Sequence, residues 1–117
     1  ALNRDGSLGL ARGSEAFIFS RDLRLQGIIE TESAAGGAAI HPDHPGAQRA
    51  FVSGVTPEGL SFIDVIDTFH FRRMGRIFVR DPVTGPIRAV RTPQGGLKVY
   101  AVTEGGIVAV DVLTNDL

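Results

Sequence analysis

Glycine and proline are spread through this chain so densely that long helices are excluded. The 117 residues include 15 glycines and 6 prolines, and these interrupt every window long enough for a good α-helix. Between them lie short runs rich in β-branched and aromatic residues, bounded by Gly, Pro, Asp and Ser. That pattern is typical of strands joined by turns. The sequence therefore predicts an all-β protein.

Nine short runs are predicted to be strands. They cover residues 15–20, 24–30, 36–41, 48–54, 60–67, 75–80, 86–91, 97–103 and 106–112. The last of these contains IVAVDV, which has more apolar positions than a strand with one solvent-exposed face is expected to have. We expect a strand of this composition to be covered on both faces.

Two segments of the chain resemble each other, which indicates an internal repeat. Residues 49–68 and 98–116 each contain a strand with an aromatic residue, a Gly-bearing turn and an apolar strand with an aspartate near its end. In this alignment Phe51 corresponds to Tyr100, and Asp64 corresponds to Asp111.

Phe17 begins a weaker and shorter copy of the same pattern within residues 15–33. The sequence thus divides a single β domain, 1–117, into approximate units 8–33, 36–80 and 85–117. Four strands in a unit of about 40–50 residues are expected of one blade of a β-propeller, which hides its faces against its neighbours.

The repeated segments also resemble a known family. The stretches GGAAIHPDHPGAQRAFVSGVTPEGLSFIDVIDT (36–68) and RTPQGGLKVYAVTEGGIVAVDVLTND (91–116) are similar to YVTN-type β-propeller repeats. The resemblance implies antiparallel four-stranded, blade-like sheets in a partial β-propeller. It also implies a protein-binding or scaffold role outside the cytoplasm, in a periplasmic, secreted or surface location.

The length supplies only about two to two and a half blades, whereas a propeller has four to eight. We expect the sequence to be part of a longer chain. The alternatives are that several copies assemble through exposed strand edges, which are prone to pair, or that the strands close into a small sandwich or barrel.

Composition excludes several function classes. A net charge of −1 does not indicate the strongly basic surface that binds nucleic acid. The seven arginines between Arg49 and Arg91 are interpreted as a solvent-exposed strand face. Since no run of about 18 apolar residues exists, no membrane span is predicted. Without cysteine, there is neither a disulfide framework nor a thiolate site.

His41, Asp43 and His44 are the best candidates for metal ligands, because imidazole and carboxylate groups bind divalent transition metals. Pro42 and Pro45 interrupt this stretch, however, and Pro-Asp followed by a Gly-containing stretch suits a connection between strands. The sequence favours the connector, with no cofactor, and keeps a small metal-binding protein or metalloenzyme as the alternative.

Other chemistry has weaker support. Asp64 and Asp67 are three residues apart on a strand and point to opposite faces, so they do not form a catalytic pair. We expect aspartates at such strand ends to accept hydrogen bonds from turn amides. The serines lack the Gly-x-Ser-x-Gly motif of a nucleophile elbow. The Phe and Arg residues of 68–76 are interpreted as an outer strand whose charged groups stay in solvent. The sequence favours a non-catalytic interaction or scaffold module over an enzyme.

Overall fold

The computed structural model describes residues 8–12, 15–20, 22, 24–30, 37–43 and 47–112. Within these ranges the chain forms ten strands and no helix, so the predicted all-β class is confirmed. The strands form three antiparallel sheets, and each sheet contains consecutive strands paired in chain order.

The sheets contain three, four and three strands. Sheet 1 consists of β1 (Leu8–Arg12), β2 (Glu15–Ser20) and β3 (Leu25–Glu30). Sheet 2 consists of β4 (Ala38–Ile40), β5 (Arg49–Val55), β6 (Ser61–Asp67) and β7 (Arg72–Val79). Sheet 3 consists of β8 (Val83–Arg91), β9 (Leu97–Thr103) and β10 (Gly106–Val112).

The prediction missed β1, and it began both β7 and β8 three residues too late. Residues 8–12 carry a glycine and an arginine in place of a β-branched run, and they form a strand through pairing with β2. β7 starts with Arg-Arg-Met, which contains no β-branched residue; Arg72 and Arg73 pair with the end of β6 across an irregularity between Val65 and Ile66. In both places, pairing with a neighbouring strand overrides local preference.

Sheet 2 packs on sheet 3 through one of its two faces. Ala39, Phe51, Ile63 and Val65 form a single apolar cluster with residues of sheet 3. The residues from sheet 3 are Val83, Ile87, Ala89, Leu97, Val99, Ala101 and Val112. This interface contains most of the described core.

The opposite face of sheet 2 carries a second cluster of Ile40, Ala50, Val52 and Ile66, with Phe71 packed against it. Phe71 also reaches sheet 1, since a Cβ added to Gly27 of β3 would lie 2.2 Å from its Cδ1 atom. Only glycine leaves room for the Phe71 ring at this position. Sheet 2 therefore lies between sheets 1 and 3.

The first strand of each sheet lies near the first strand of the next. β4 contacts both β1 and β8. Gly37, just before β4, allows the backbone of β8 to approach closely, because a Cβ at residue 37 would lie 2.9 Å from the backbone nitrogen of Ile87. The three first strands thus run side by side along one edge of the stack.

Strand register places Phe51 and Tyr100 at comparable positions in their hairpins and corrects the sequence alignment of the aspartates. Phe51 lies opposite Val65 and Tyr100 lies opposite Ala109. Two residues before each aromatic residue, a cation lies opposite an aspartate: Arg49 opposite Asp67, and Lys98 opposite Asp111. The equivalent of Asp111 is therefore Asp67. The alignment with Asp64 was wrong because the β5–β6 turn is longer than the β9–β10 turn.

Two turns of the same type close hairpins at residues 56–60 and 92–96. In each, the threonine amide donates to the carbonyl of the fifth residue, at 2.8 and 2.9 Å, and the threonine Oγ1 accepts from that residue's amide. Gly59 and Gly95 have φ values of 87° and 85°. This left-handed conformation is why glycine occupies the fourth position.

Candidate functional site

The stretch around His41 connects two strands, as predicted. β4 ends at Ile40, β5 begins at Arg49, and the two pair antiparallel. The amide of His41 donates to the carbonyl of Arg49 at 3.0 Å. The Nδ1 atom of the buried His41 ring accepts from the amide of Asp43 at 3.0 Å. The ring is therefore part of the turn itself.

Asp43 binds across to the neighbouring sheet. Nε of Arg91 in β8 donates to Asp43 Oδ2 at 3.0 Å, and Nη2 of the same guanidinium contacts the same oxygen. Nη1 of Arg91 donates to the carbonyl of Gly95 at 2.7 Å. Arg91 thus joins the connector of sheet 2 to the β8–β9 turn of sheet 3.

The hydrogen bond from Arg91 holds the pKa of the Asp43 carboxyl below its ordinary value of 3.8, although burial acts in the opposite direction. The charges of Arg91 and His41 also lower this pKa. We expect Arg91→Gln to raise the pKa of Asp43 towards the ordinary value in a carbon-detected NMR titration. Arg88→Gln, on the same strand, is the control. An unchanged Asp43 titration in Arg91→Gln would show that the pair does not form in solution.

Two of the three predicted metal ligands, His41 and Asp43, lie within the described residues. His44 lies outside the described residues, so the set His41, Asp43 and His44 stays a prediction. Within the part of the chain that the structure describes, no three His, Asp or Glu side chains come together as a metal site. Of the two described members of the set, His41 accepts a backbone hydrogen bond through Nδ1 and Asp43 binds Arg91.

Asp67, at the end of β6, stabilises the turn that follows it. Its Oδ1 accepts from the amides of Phe69 and His70, at 2.8 and 3.1 Å, and its Oδ2 lies 2.7 Å from Nδ1 of His70. Arg49 Nη1 lies 3.9 Å from the same carboxylate. The prediction that this aspartate accepts hydrogen bonds from turn amides is confirmed.

Burial alone would raise the pKa of Asp67, but the hydrogen bonds from His70 and Phe69, with the charge of His70, lower it to about 2. A folded-state pKa below the ordinary 3.8 means that ionised Asp67 stabilises the fold above about pH 4. That contribution is lost as the pH falls to about 2.

We therefore expect Asp67→Asn to lower the thermal midpoint at pH 6 and to change it little at pH 2. Asp111→Asn, at the equivalent but exposed position, is the matched control and should change the midpoint little at either pH. Calorimetry between pH 6 and pH 2 measures the difference. A variant that loses stability with acid as steeply as the parent protein would contradict this assignment.

Asp64 forms a separate, buried ion pair on the opposite face of sheet 2. Arg76 of β7 donates from Nε to Oδ1 at 2.7 Å and from Nη2 to Oδ2 at 3.0 Å. The guanidinium lies 3.7 Å from the centre of the Phe62 ring. Asp64 and Asp67 thus have different partners and do not converge, as the sequence indicated. The expectation that Asp64 accepts from turn amides was wrong, because Asp64 lies in the middle of β6, opposite Arg76.

The outer face of sheet 3 is an apolar surface that the sequence did not identify. Tyr100 is 40% exposed and Ile107 is 76% exposed, and both lie on the face that points away from sheet 2. Val90 and Val102 are also exposed there. The expectation that β10 is covered on both faces is therefore wrong for the single chain. We call this surface the outer face of sheet 3. Its apolar residues are Val90, Tyr100, Val102, Ile107 and Ala109, and the charged Arg88, Lys98 and Asp111 lie on the same face.

A shallow groove of about 320 Å³ borders this face. It lies between the β8–β9 turn and the side chains of Lys98 and Tyr100. Its lining combines two cations, Arg91 and Lys98, with the Tyr100 ring, Val90 and turn residues, so the groove forms a mostly polar border beside an apolar surface. It does not bring together groups suited to acid–base chemistry.

Comparison with known proteins adds no family. No protein-family model matches the chain, and no curated protein matches it. Among the described residues, no helix is long and apolar enough to cross a membrane.

Proposed function

We propose that this protein is a non-catalytic, β-propeller-like interaction or scaffold module, built from repeats of the YVTN type. Its partners are proteins, and its place is outside the cytoplasm, as the repeat resemblance implies. The stacking of sheet 2 between sheets 1 and 3, with β1, β4 and β8 side by side, carries this proposal. In a propeller the first strands of successive blades line a common axis, and each blade covers the face of the next.

The repeated register supports the same proposal. The Arg49–Asp67 pair lies on the face of sheet 2 that sheet 3 covers, and the equivalent Lys98–Asp111 pair lies on the outer face of sheet 3. Successive sheets therefore present equivalent faces in the same direction. A sandwich of two sheets facing each other would instead bring equivalent faces together.

The described carboxylates of the core support a non-catalytic role. Asp64 is paired bidentately with Arg76, and Asp67 accepts two amide hydrogen bonds. Groups that act as general acids or bases must be able to reach a substrate proton. These carboxylates are buried and already bound to partners within the fold.

The outer strands provide surfaces for partners. β3, β7 and β10 each end a sheet, and within the described residues each pairs with a single neighbouring strand. A strand edge of this kind can accept an extended segment from another protein. Met74 and Phe78 expose apolar surface along β7.

The alternative function is a metal-binding protein that uses His41, Asp43 and His44. Calorimetry with and without chelator, combined with metal analysis by mass spectrometry, separates the two functions. A scaffold module is expected to contain far less than one metal ion per chain and to unfold at the same temperature with EDTA or with added Zn²⁺, Ni²⁺ or Cu²⁺. Stoichiometric metal, or a metal-dependent shift that His44→Ala abolishes, would support the alternative and overturn the scaffold proposal.

A further inference from the structure

Strand β7 lies at the edge of sheet 2 opposite to β4, and within the described residues it pairs with β6 alone. The amide of Thr68 donates to the carbonyl of Gln48 at 3.1 Å. Since hydrogen-bonded positions alternate along an antiparallel pair, Phe62 and the other even-numbered residues of β6 bond β5, and the odd-numbered residues bond β7. Phe78 lies opposite Phe62. The amide and carbonyl groups of Phe78 therefore point away from β6, towards the edge.

The charged side chains of β7 are all positive. The strand reads RRMGRIFV and contains no acidic residue. Arg72 and Arg73, at its start, are exposed, and Arg72 keeps 68% of its side chain exposed although its Nε lies 3.7 Å from Asp67 Oδ2. The other two strands that end a sheet each carry an acid, Glu30 in β3 and Asp111 in β10. β7 is therefore the basic edge of the described sheets.

The two carboxylates of the neighbouring strand β6 are enclosed. Asp64 and Asp67 are only 2% and 4% exposed. Asp64 is bound bidentately by Arg76, and Asp67 accepts from the turn amides and contacts His70. A carboxylate that approaches this edge from solvent therefore meets exposed guanidinium groups and not the aspartates.

We infer that the edge of β7 binds an extended, acidic segment of a partner protein as an additional strand of sheet 2. This inference rests on the proposed function as an interaction module. The outward backbone groups of Phe78 bond the added strand, and Arg72 and Arg73 bind its carboxylates through charge-assisted hydrogen bonds. Met74 and Phe78, which are 39% and 59% exposed, offer apolar contacts to the side chains between the acids.

A second copy of β7 is a poor occupant of this edge. Two paired β7 strands would bring together arginines and no carboxylate, and like charges opposite each other destabilise a strand pair. The arginines thus oppose self-pairing of the edge and favour an acidic partner. The edge also lies in the plane of sheet 2, on the side away from β1, β4 and β8. Sheets that stack on the faces of sheet 2 therefore do not block an added strand.

A synthetic peptide tests the inference by NMR. The probe is Glu-Asp-Val-Thr-Val-Thr-Val-Asp-Glu, with acids at both ends so that either strand direction brings carboxylates to Arg72 and Arg73. Added to the ¹⁵N-labelled chain, it is expected to shift the amide resonances of β7 and to slow hydrogen exchange at Phe78. The same peptide with lysine at every acidic position is the control and should bind at least about 10-fold more weakly.

Substitutions distinguish an added strand from attraction between charges alone. Phe78→Pro removes the outward amide at an edge position, where proline is tolerated, and should raise the dissociation constant of the acidic peptide at least about 10-fold. Phe78→Ala keeps the amide and should raise it less. Arg73→Glu is expected to raise it about 5-fold. Arg88→Glu, the same change of charge at an exposed position of β8, is the matched control and should leave it unchanged. Circular dichroism verifies that each variant folds.

Several results would overturn the inference. They are equal affinities of Phe78→Pro and Phe78→Ala, equal binding of the acidic and lysine peptides, resonance shifts confined to sheet 3, and no shift at millimolar peptide. None of these results would restore a metal function. A metal-independent protein that does not bind the acidic peptide would retain the proposed module and lose only this class of partner.

Discussion

Replacing Phe51 with alanine is expected to lower the free energy of unfolding by about 3–5 kcal/mol. The side chain is fully buried at the centre of the largest cluster, where it lies between Ala39 and Val65 on the neighbouring strands and faces sheet 3. Truncation removes apolar contacts and leaves a cavity at the junction of two sheets. Because sheets lie on both sides of sheet 2, its core strands cannot easily collapse into that space.

Phe78→Ala is the matched control for this prediction. Phe78 undergoes the same truncation on the same sheet, but it is 59% exposed on β7. Its loss is expected to cost less than about 1 kcal/mol, the range of a cross-strand pair. Urea unfolding measures both variants. Equal costs for the two substitutions would mean that the interface between sheets 2 and 3 does not form as described.

The second large effect is expected at the buried ion pair. Arg76→Ala should destabilise the fold by about 3–5 kcal/mol, because it leaves the Asp64 carboxylate buried without its guanidinium partner. The same substitution also removes the stacking of Arg76 on Phe62. Chemical unfolding at neutral pH is the measurement. Arg80→Ala, on an exposed arginine that follows β7, is the control and should change stability by less than about 0.5 kcal/mol.

A double variant separates the charge from the packing. In Asp64→Leu with Arg76→Met, both charges are replaced by apolar side chains of similar size, and we expect much of the loss in Arg76→Ala to be recovered. If the double variant is as unstable as Arg76→Ala, the arginine acts through contacts with other groups and not through neutralisation of Asp64.

The all-β class and most strand positions were predictable because local composition determines them. Gly and Pro mark most of the described turns, although the β6–β7 turn at 68–71 contains neither, and the turn at 92–96 requires glycine at a left-handed position. β1 was missed because LGLAR has no run of β-branched residues, and it pairs through β2. The register of Asp111 was misjudged because an aspartate near a strand end recurs in sequence at two places, and only cross-strand pairing distinguishes Asp64 from Asp67.

The candidate surfaces were only partly predictable. The histidine turn was correctly interpreted as a connector, since Pro-Asp chemistry is local. The Arg91–Asp43 contact joins residues 48 positions apart, and no local pattern encodes such a pair. The outer face of sheet 3 had a signal, the continuous apolar run of β10, but the sequence alone does not say whether a chain covers that run itself.

The construction of each sheet from consecutive strands has an evolutionary consequence. All hydrogen-bonded partners of a sheet come from one continuous stretch of about 25 to 45 residues, and only short links join one sheet to the next. A gene duplication that copies one such stretch would add a whole sheet without breaking the hydrogen bonds between strands in the sheets already present. Chains of this design can therefore lengthen or shorten by whole sheets, and selection then acts on how many sheets the stack contains.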